Sequence, residues 1–240
     1  MRDALIVGLG LIGGSIGIAL RHRGWRVSYL DPNVGDAGEA ADRRVDTFIE
    51  ADVTVLATPV DVAAAMLPLD GVVTSVCSVM KPLRDAARGR FVAGHPMAGS
   101  AKTGLANATV DLFAGKSWFL DAEEKVVDEL VRDCGAQIER VDAATHDAAI
   151  ALTSHLPQIL STALAAYLEN RDVHRFAGPG LRDFLRLAES DASVWKPILE
   201  ANRTNIAPHV DGLVALIREI VEGDPREAFE KARRVFEKLG

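Results

Sequence analysis

Cysteine is almost absent from this chain, with only Cys77 and Cys134 among its 240 residues. Two isolated cysteines form no disulfide framework and lack the spacing of a metal site, so we predict no metal. An excess of basic residues is also missing, because the formal net charge is −7. A nucleic-acid surface normally shows a basic stripe, and we therefore predict that the chain binds no nucleic acid.

The sequence also shows no convincing export signal or membrane span. Met1-Arg2 and the apolar stretch that follows resemble a signal peptide or a short membrane span. However, the stretch holds five glycines between Gly8 and Gly17, barely reaches bilayer length and leads to no small-residue cleavage site. Hydrophobic residues make up 48% and charged residues 25%, as in ordinary globular proteins. We expect a cytoplasmic protein that does not associate with membranes.

A glycine-rich stretch near the start is the strongest local signal. Gly8, Gly10 and Gly13 fit the pattern G-x-G-x-x-G between an apolar run at residues 4–7 and a predicted helix. In this pattern the glycines allow a tight turn, close approach of a pyrophosphate and close packing of helix on strand. The phosphates would lie at the helix N-terminus. The predicted loop site comprises Gly8, Gly10, Leu11, Ile12 and Gly13. The alternative is a glycine turn that binds nothing.

An acidic residue follows the second predicted strand, residues 26–30. Asp31 lies about twenty residues beyond the glycines, where a carboxylate bonds the adenosine ribose hydroxyls. It would repel a 2′-phosphate, and neither Pro32 nor Asn33 supplies a cation to hold one. These residues favour NAD over NADP as the cofactor. The alternative is that residues 31–33 form only a turn.

Strands and helices alternate up to about residue 141. A buried-strand run at residues 52–58 ends at Thr58 and Pro59, which we expect beside the dinucleotide, with Asp61 available to cap the next helix. Further predicted strands cover 71–78, 90–94, 117–120 and 137–141, and helices cover 82–88 and 122–134. This alternation predicts a doubly wound, mostly parallel sheet of the Rossmann type in a dinucleotide-binding domain, residues 1–142.

Strand signals stop at Asp142, which can cap a long helix. Apolar residues then recur at steps of three and four, and further helices are predicted near 181–189, 194–205, 208–222 and 225–239. We therefore predict an all-α domain at residues 143–240. Its short helices suggest that it completes its core by forming a homodimer.

Two histidines are candidates for chemistry. His95 follows a predicted strand end and precedes Pro96, so it would meet a substrate at the carboxyl edge of the sheet; the alternative is a turn histidine bonded to backbone. His155 lies on the long helix, where Pro157 should bend the helix around Thr153. By spacing alone, a functional and a surface role for His155 are equally supported.

Two arginines one helical turn apart, Arg182 and Arg186, share a predicted helix face with Glu189. Periodicity favours a solvated face with an arginine–glutamate pair. The alternative is a guanidinium clamp for a carboxylate substrate.

Taken together, the motifs are similar to those of the prephenate/arogenate dehydrogenases of tyrosine biosynthesis. The resemblance rests on residues 8–15, Ser78-Val79, H-P-M-A-G-S at 95–100, D-L-F-A-G-K at 111–116, S-H-L-P at 154–157 and L-R-D-F-L-R-L-A at 181–188. It covers nearly the whole chain. It implies a dimer-forming helical domain, NAD as cofactor, and oxidative decarboxylation of prephenate or arogenate in a cleft between the domains.

The resemblance also implies roles for individual residues. His95 would engage the substrate's ring hydroxyl and Ser78 would orient this histidine, while Ser100 would supply a pocket hydroxyl. His155 would be the helical-domain histidine of the site. Arg186 would bind a substrate carboxylate, with Arg182 as its basic neighbour, which reverses the interpretation from periodicity.

This sequence departs from the family pattern at five positions. The usual D-x-G-S-V-K has Ser75, Cys77 and Met80 in place of its aspartate, glycine and lysine, and Lys81 follows one position late. Ala101 replaces a glutamate, and Gln158 replaces the second histidine of S-H-L-P-H. The chain has no room for a regulatory or mutase extension, so we expect one activity.

Two alternative functions remain at the level of sequence. One is another two-domain dehydrogenase, such as a 3-hydroxyacid dehydrogenase or an imine reductase. The hydroxyacid type would be supported by a lysine in the first helix of the helical domain, and residues 142–170 contain none. The other is a dinucleotide-binding sensor without catalysis, suggested by the altered serine loop.

Overall fold

The computed structural model describes residues 1–99 and 103–239, without the side chains of His174 and Leu239. Its main sheet is parallel, with the strand order β3-β2-β1-β4-β5-β6. The strands are β1 (Asp3–Val7), β2 (Arg26–Leu30), β3 (Arg43–Arg44), β4 (Val53–Leu56), β5 (Val72–Ser75) and β6 (Arg90–Val92). The order reverses direction between β1 and β4, which is where doubly wound sheets bind their ligands. The predicted fold class is confirmed.

Helices cover both faces of this sheet, because successive residues of each buried strand point to opposite sides. On β1, Ile6 packs with α1 (Leu11–His22) and α4 (Lys125–Asp133), whereas Leu5 packs on the other face with α2 (Val60–Met66) and α3 (Lys81–Ala86). Both strand residues are fully buried. The continuous apolar runs of the sequence are therefore explained by a sheet with two covered faces.

A second sheet follows that the sequence did not predict. It contains β7 (Gly94–Pro96), β8 (Ser117–Leu120) and β9 (Gln137–Arg140); β8 pairs antiparallel with β7 and parallel with β9. The expectation of one strand over 90–94 was wrong, because β6 ends at Val92 and the chain passes into β7. A Cβ at Gly94 would lie 2.7 Å from the Ser75 carbonyl oxygen, so glycine permits this close passage.

Beyond residue 142 the chain is helical. The helices are α5 (Ala143–Ile150), α6 (Leu156–Leu168), α7 (Pro179–Leu185), α8 (Ala192–Ala201), α9 (Arg203–Glu222) and α10 (Arg226–Leu239). The carboxylate of Asp142 caps α5 by accepting a hydrogen bond from the Thr145 N–H at 2.9 Å. A π-helical turn, Ala151–His155, joins α5 to α6 just ahead of Pro157, where the sequence predicted an irregularity.

The predicted bounds of three helices beyond residue 142 were wrong. The helix predicted over 181–189 ends at Leu185 and continues only as a 3₁₀ turn, Arg186–Glu189. The helix predicted from 194 to 205 ends at Ala201, and α9 begins at Arg203 instead of at Pro208. Pro208 is accommodated inside α9, where it removes one backbone donor. In addition, α2 has Pro59 at its N-cap, and the side chain of Asp61 does not cap it.

The continuous helical run from Ala143 to Leu168 has the length and mean hydropathy of a membrane span. Its buried polar side chains, however, face other parts of the protein: His146, Asp147, His155, Gln158 and Ser161. Hydrogen bonds tie these side chains to other elements; that of Ser161, for example, donates to the Phe184 carbonyl at 2.8 Å. We interpret the run as a partly buried helix that packs on the rest of the fold.

Candidate active site

The glycine loop has the geometry of a phosphate cradle. Gly8 has a φ of +92°, and a Cβ at Gly13 would lie 2.0 Å from the Gly8 carbonyl oxygen, so helix α1 can approach the loop only because both are glycine. At Gly10 a Cβ would meet nothing within 4 Å. Gly10 is also the N-cap of α1, and its first turn has neither a capping side chain nor an acidic residue. This open, uncapped helix N-terminus suits a pyrophosphate.

The carboxylate of Asp31 lies directly against this loop. Its Oδ2 accepts a hydrogen bond from the Leu9 N–H at 2.8 Å, and its Oδ1 accepts one from the Asn33 N–H at 2.8 Å. The end of β2 is thereby fastened to the turn that follows β1. The bond from the Asn33 N–H shows that residues 31–33 do form a turn, as the alternative interpretation predicted. This turn is compatible with a role of Asp31 in binding the cofactor.

A cleft of about 490 Å³ lies between the glycine loop and α8. The predicted residues that line it are Gly10, Leu11, Ile12, Thr58, Pro59 and Ser78. Ser193, Val194, Pro197 and Ile198 form the wall from α8. The Thr58 hydroxyl oxygen is buried and has no hydrogen-bond partner within the described part of the chain. The cleft thus combines a glycine cradle, an uncapped helix end and a polar atom that lacks a partner, and it fits a dinucleotide.

His95 is held on β7, opposite Phe119 of β8. Its Nδ1 lies 3.0 Å from Nε2 of His146, and the two rings meet edge to face with centroids 5.1 Å apart. Burial, and after it the nearby imidazoles of His146 and His155, lowers the pKa of His95 to about 3. His95 is therefore a neutral imidazole at physiological pH.

His146 and Asp147 are adjacent on α5 and almost fully buried, with 3% and 1% of their surface exposed. The His146 Nδ1 and the Asp147 Oδ1 are 2.8 Å apart. The same carboxylate accepts hydrogen bonds from the N–H groups of Met80 and Lys81, at 2.9 and 2.8 Å. Asp147 therefore joins the start of α3 to the histidine that contacts His95.

His155 lies in the π-helical turn and is fully buried. The surface role that spacing left open is therefore wrong. Asn202 contacts His155 Nδ1 through its Nδ2 at 3.1 Å, and Trp195 meets the imidazole edge to face. Burial lowers the pKa of His155 to about 4; the His146 imidazole adds to this effect and the Asp147 carboxylate opposes it.

Arg182 and Arg186 have different surroundings, and neither lines the dinucleotide cleft. Arg186 is exposed at the start of the 3₁₀ turn. Gln158, on the turn of α6 that follows His155, donates from Nε2 to the Leu187 carbonyl at 2.8 Å, which fixes this turn beside the His155 helix. Arg182, in contrast, lines a different cavity between α6 and α7 that shares no lining residue with the dinucleotide cleft. The predicted single helix face for both arginines was wrong, because α7 ends between them.

The two predicted site serines and the positions that depart from the family pattern differ in their surroundings. Ser78 lines the cleft, but His95 Nδ1 contacts His146 instead of Ser78. Ser100 and Ala101 lie outside the described residues. Met80 is fully buried, so this position suits an apolar side chain. Burial raises the pKa of the Cys77 thiol to about 12, which keeps it protonated beside the cleft.

Sequence reasoning missed His146, Asp147 and Asn202. His146 and Asp147 fall near the start of the predicted long helix, where attention to the apolar periodicity and to His155 left these two residues unexamined. A histidine–aspartate pair predicted to lie on the apolar side of a helix is a usable signal, since buried charged groups are normally paired. Asn202 gave no signal, because its role depends on the end of α8 meeting α5.

Two family models match the chain. "Prephenate dehydrogenase, nucleotide-binding domain" matches residues 16–145, and "Prephenate dehydrogenase, dimerization domain" matches residues 142–237. The prephenate dehydrogenase of Bacillus subtilis (strain 168) is 31% identical over 274 residues, an alignment that covers 98% of this chain and 74% of that protein. The cyclohexadienyl dehydrogenase of Zymomonas mobilis is 27% identical, with coverage of 91% and 87%.

A solved structure agrees over the full length. The prephenate dehydrogenase of A. aeolicus, in complex with hydroxyphenyl propionate and NAD+, superimposes with a TM-score of 0.83 at 28% identity. The match covers 100% of this chain and 96% of that one. The similarity therefore includes both the sheet region and the helical region.

Proposed function

The chain belongs to the prephenate dehydrogenase family, and on this premise we propose that it catalyses the NAD-dependent oxidative decarboxylation of prephenate or arogenate. The products would be 4-hydroxyphenylpyruvate and tyrosine, respectively. The observation that carries the proposal is the neutral imidazole of His95, placed at the edge of the sheet and held by His146.

The cofactor would be held by the cleft and by the loop beside it. Gly10, Leu11 and Ile12 would take the pyrophosphate, in a turn that Gly8 and Gly13 make possible. Asp31 would bind the ribose hydroxyls, and Thr58 and Pro59 would lie on the opposite side of the dinucleotide. When bound, NAD+ accepts the hydride that leaves the ring carbinol carbon. The acidic Asp31 supports NAD over NADP, because a carboxylate repels a 2′-phosphate.

His95 would hold the proton of the ring hydroxyl while the carbinol carbon is oxidised. Because its pKa is about 3, His95 would share this proton in a hydrogen bond and would not remain protonated. The proton would return to the ring oxygen as the carbon–carboxylate bond breaks and the ring becomes aromatic. The electrons of the broken bond enter the ring, and carbon dioxide leaves. Ser78 would supply a hydroxyl group from the cleft wall.

The substrate's carboxylate would be bound by Arg186, whose planar guanidinium matches a carboxylate with two parallel hydrogen bonds. The support is that Gln158 holds the Arg186 turn against the helix that carries His155. Arg182 would add positive charge one turn earlier, and Ser100 a pocket hydroxyl. His155 would complete the site from the helical side.

We also propose that the two domains are residues 1–142 and 143–240, and that the second one makes a homodimer. The support is a set of exposed apolar side chains on α9 and α10, namely Val214, Ile217, Val221, Phe229 and Phe236. Exposed apolar surface of this extent usually marks an interaction site. We further propose a cytoplasmic location, since the relatives are biosynthetic enzymes.

Incubation with NAD+ and either prephenate or arogenate tests the function. NADH formation, followed by its absorbance, together with release of one carbon dioxide per NADH, is the expected result with one or both substrates. NADH formation with a 3-hydroxyacid, and not with either cyclohexadiene, would instead support the alternative dehydrogenase. Binding of NAD+ without turnover of any of these compounds would support the sensor.

A further inference from the structure

Asp147 occupies a position from which it can act on both histidines of the site. Both oxygens of its carboxylate accept backbone N–H groups, those of Met80 and Lys81. Since both oxygens are acceptors, the His146 Nδ1 at 2.8 Å from Oδ1 must carry the hydrogen of that contact. A neutral His146 therefore has its lone pair on Nε2.

This lone pair determines the state of His95. The His146 Nε2 lies 3.0 Å from the His95 Nδ1, and a hydrogen bond between them requires His95 to donate. His95 then carries its hydrogen on Nδ1 and its lone pair on Nε2. A lone pair on Nε2 is what a histidine needs to accept a hydroxyl proton.

A second branch runs from the backbone of Asp147 to His155. The Asp147 carbonyl accepts a hydrogen bond from the Asn202 Nδ2 at 2.8 Å, and the Asn202 Oδ1 accepts one from the Asn205 Nδ2 at 2.7 Å. These two bonds fix the orientation of the Asn202 amide. Its remaining Nδ2 hydrogen points to His155 Nδ1 at 3.1 Å, so Nδ1 is an acceptor.

His155 consequently carries its hydrogen on Nε2. This nitrogen is buried and has no hydrogen-bond partner among the described residues. A buried donor that lacks an acceptor costs free energy, which a bound ligand with an acceptor oxygen would recover. Burial favours the neutral forms of both His95 and His155, in agreement with the two assignments.

We propose that Asp147 is a positioning residue that gives His95 and His155 opposite tautomers, through His146 on one side and Asn202 on the other. His95 presents an acceptor at Nε2 for the ring hydroxyl, and His155 presents an N–H donor at Nε2 for a second substrate oxygen. The tautomers follow from the hydrogen bonds with His146 in its neutral form, whereas the substrate contacts rest on the proposed function.

Histidine tautomers can be read directly from the ring ¹⁵N signals of the full-length protein without cofactor or substrate. We expect the His95 signals to show a hydrogen on Nδ1 and the His155 signals to show one on Nε2, with assignments from the His95→Asn and His155→Asn variants. A hydrogen on the opposite nitrogen of either ring in the wild-type protein would overturn the proposal, whatever the variants do.

Two variants separate the branches and act as controls for each other. His146→Phe removes the acceptor for His95 and should move hydrogen from Nδ1 to Nε2 of His95 while the His155 signals stay unchanged. Asn202→Asp replaces the donor with an acceptor and should move hydrogen to Nδ1 of His155 while His95 stays unchanged. Unchanged His95 signals in folded His146→Phe would refute the first branch, and unchanged His155 signals in folded Asn202→Asp the second.

Turnover distinguishes this inference from the proposed function. His146→Phe should lower kcat by about 10²- to 10⁴-fold, the range for loss of a general base, with the affinity for NAD+ unchanged. His146→Gln, whose amide oxygen can still accept from His95, should recover part of kcat. If the wild-type tautomers are as expected but neither substrate is turned over, the proposed function fails and the tautomer assignment stands.

Discussion

His95 and His146 meet edge to face across two parts of the fold, with an interplanar angle of 85° and a distance of 3.0 Å between His95 Nδ1 and His146 Nε2. His95 belongs to β7 of the small second sheet, whereas His146 belongs to α5 of the helical region. The candidate catalytic histidine is therefore oriented by a helix that follows it by about fifty residues. Packing of the helical region against the sheets is a condition for a correctly oriented site.

The role of His95 as the proton acceptor can be tested by His95→Asn. We expect turnover to fall by about 10²- to 10⁴-fold, because the variant loses the group that shares the hydroxyl proton. The affinity for NAD+ should not change, since His95 does not line the dinucleotide cleft. Steady-state kinetics and calorimetric titration with NAD+ measure the two quantities. His22→Asn, at an exposed helix end, is the matched control; near-normal turnover of His95→Asn would exclude His95 from the mechanism.

The role of Arg186 can be tested against Arg182. Arg186→Ala should raise the KM for the substrate by about 10- to 100-fold, the equivalent of one or two hydrogen bonds to a charged group. Arg186→Lys should restore only part of the affinity, because an ammonium group cannot make the bidentate contact. Arg182→Ala should have the smaller effect, since Arg182 lies in a separate cavity. A change in NAD+ affinity with a normal substrate KM in Arg186→Ala would contradict the carboxylate assignment.

The first half of the fold is predictable from sequence because its signals are local. The strand at 26–30 and the strand at 117–120 were predicted with the observed bounds, since both are short apolar runs between clear turn residues. The loop residues from Gly8 to Gly13 follow from a pattern whose physical reason lies in adjacent residues. His95 was also found locally, from its place after a strand end.

The rest depends on contacts between distant residues. Nothing near Asn202 indicates that it will meet the carbonyl of Asp147, 55 residues earlier. The split of one predicted strand into β6 and β7 depends on the close approach of Gly94 to Ser75, and the end of α7 at Leu185 does not follow from periodicity. Spacing named His155 and Arg186 only as candidates, and family resemblance gave them their roles, while the histidine–aspartate pair at 146–147 was recognised only in the structure.

Two histidines whose pKa values are lowered in the folded protein, His95 and His155, make stability depend on pH. In the unfolded chain each takes up a proton near pH 6.5, whereas in the folded protein the pKa is about 3 for His95 and about 4 for His155. Between these values the unfolded state binds more protons, so the free energy of unfolding should decrease as pH falls below about 6.5, by up to about 1.4 kcal/mol per pH unit for each histidine. Above this pH the contribution is complete.

Urea unfolding at several pH values between 7 and 5 measures this dependence. His155→Gln should be less stable at pH 7 but should lose less stability between pH 7 and 5 than the wild type. His22→Gln, which removes an exposed histidine, should retain the wild-type dependence. A slope in His155→Gln that equals the wild-type slope would show that His155 is not a source of the pH dependence.

Two alanine substitutions in the glycine loop separate cofactor binding from folding. Gly10 has an extended backbone with a negative φ of −82°, so its conformation does not require glycine, and a Cβ there would enter open space. Gly10→Ala should therefore leave the melting temperature nearly unchanged and weaken NAD+ binding by about tenfold or more, because the added methyl group occupies the path of the pyrophosphate.

In Gly13→Ala the Cβ would lie 2.0 Å from the Gly8 carbonyl oxygen, so α1 must move away from the loop. We expect a loss of about 1–3 kcal/mol in unfolding free energy from this overpacking. Thermal unfolding and NAD+ titration of both variants test the pair, and equal NAD+ affinities for Gly10→Ala and the wild type would place the pyrophosphate elsewhere.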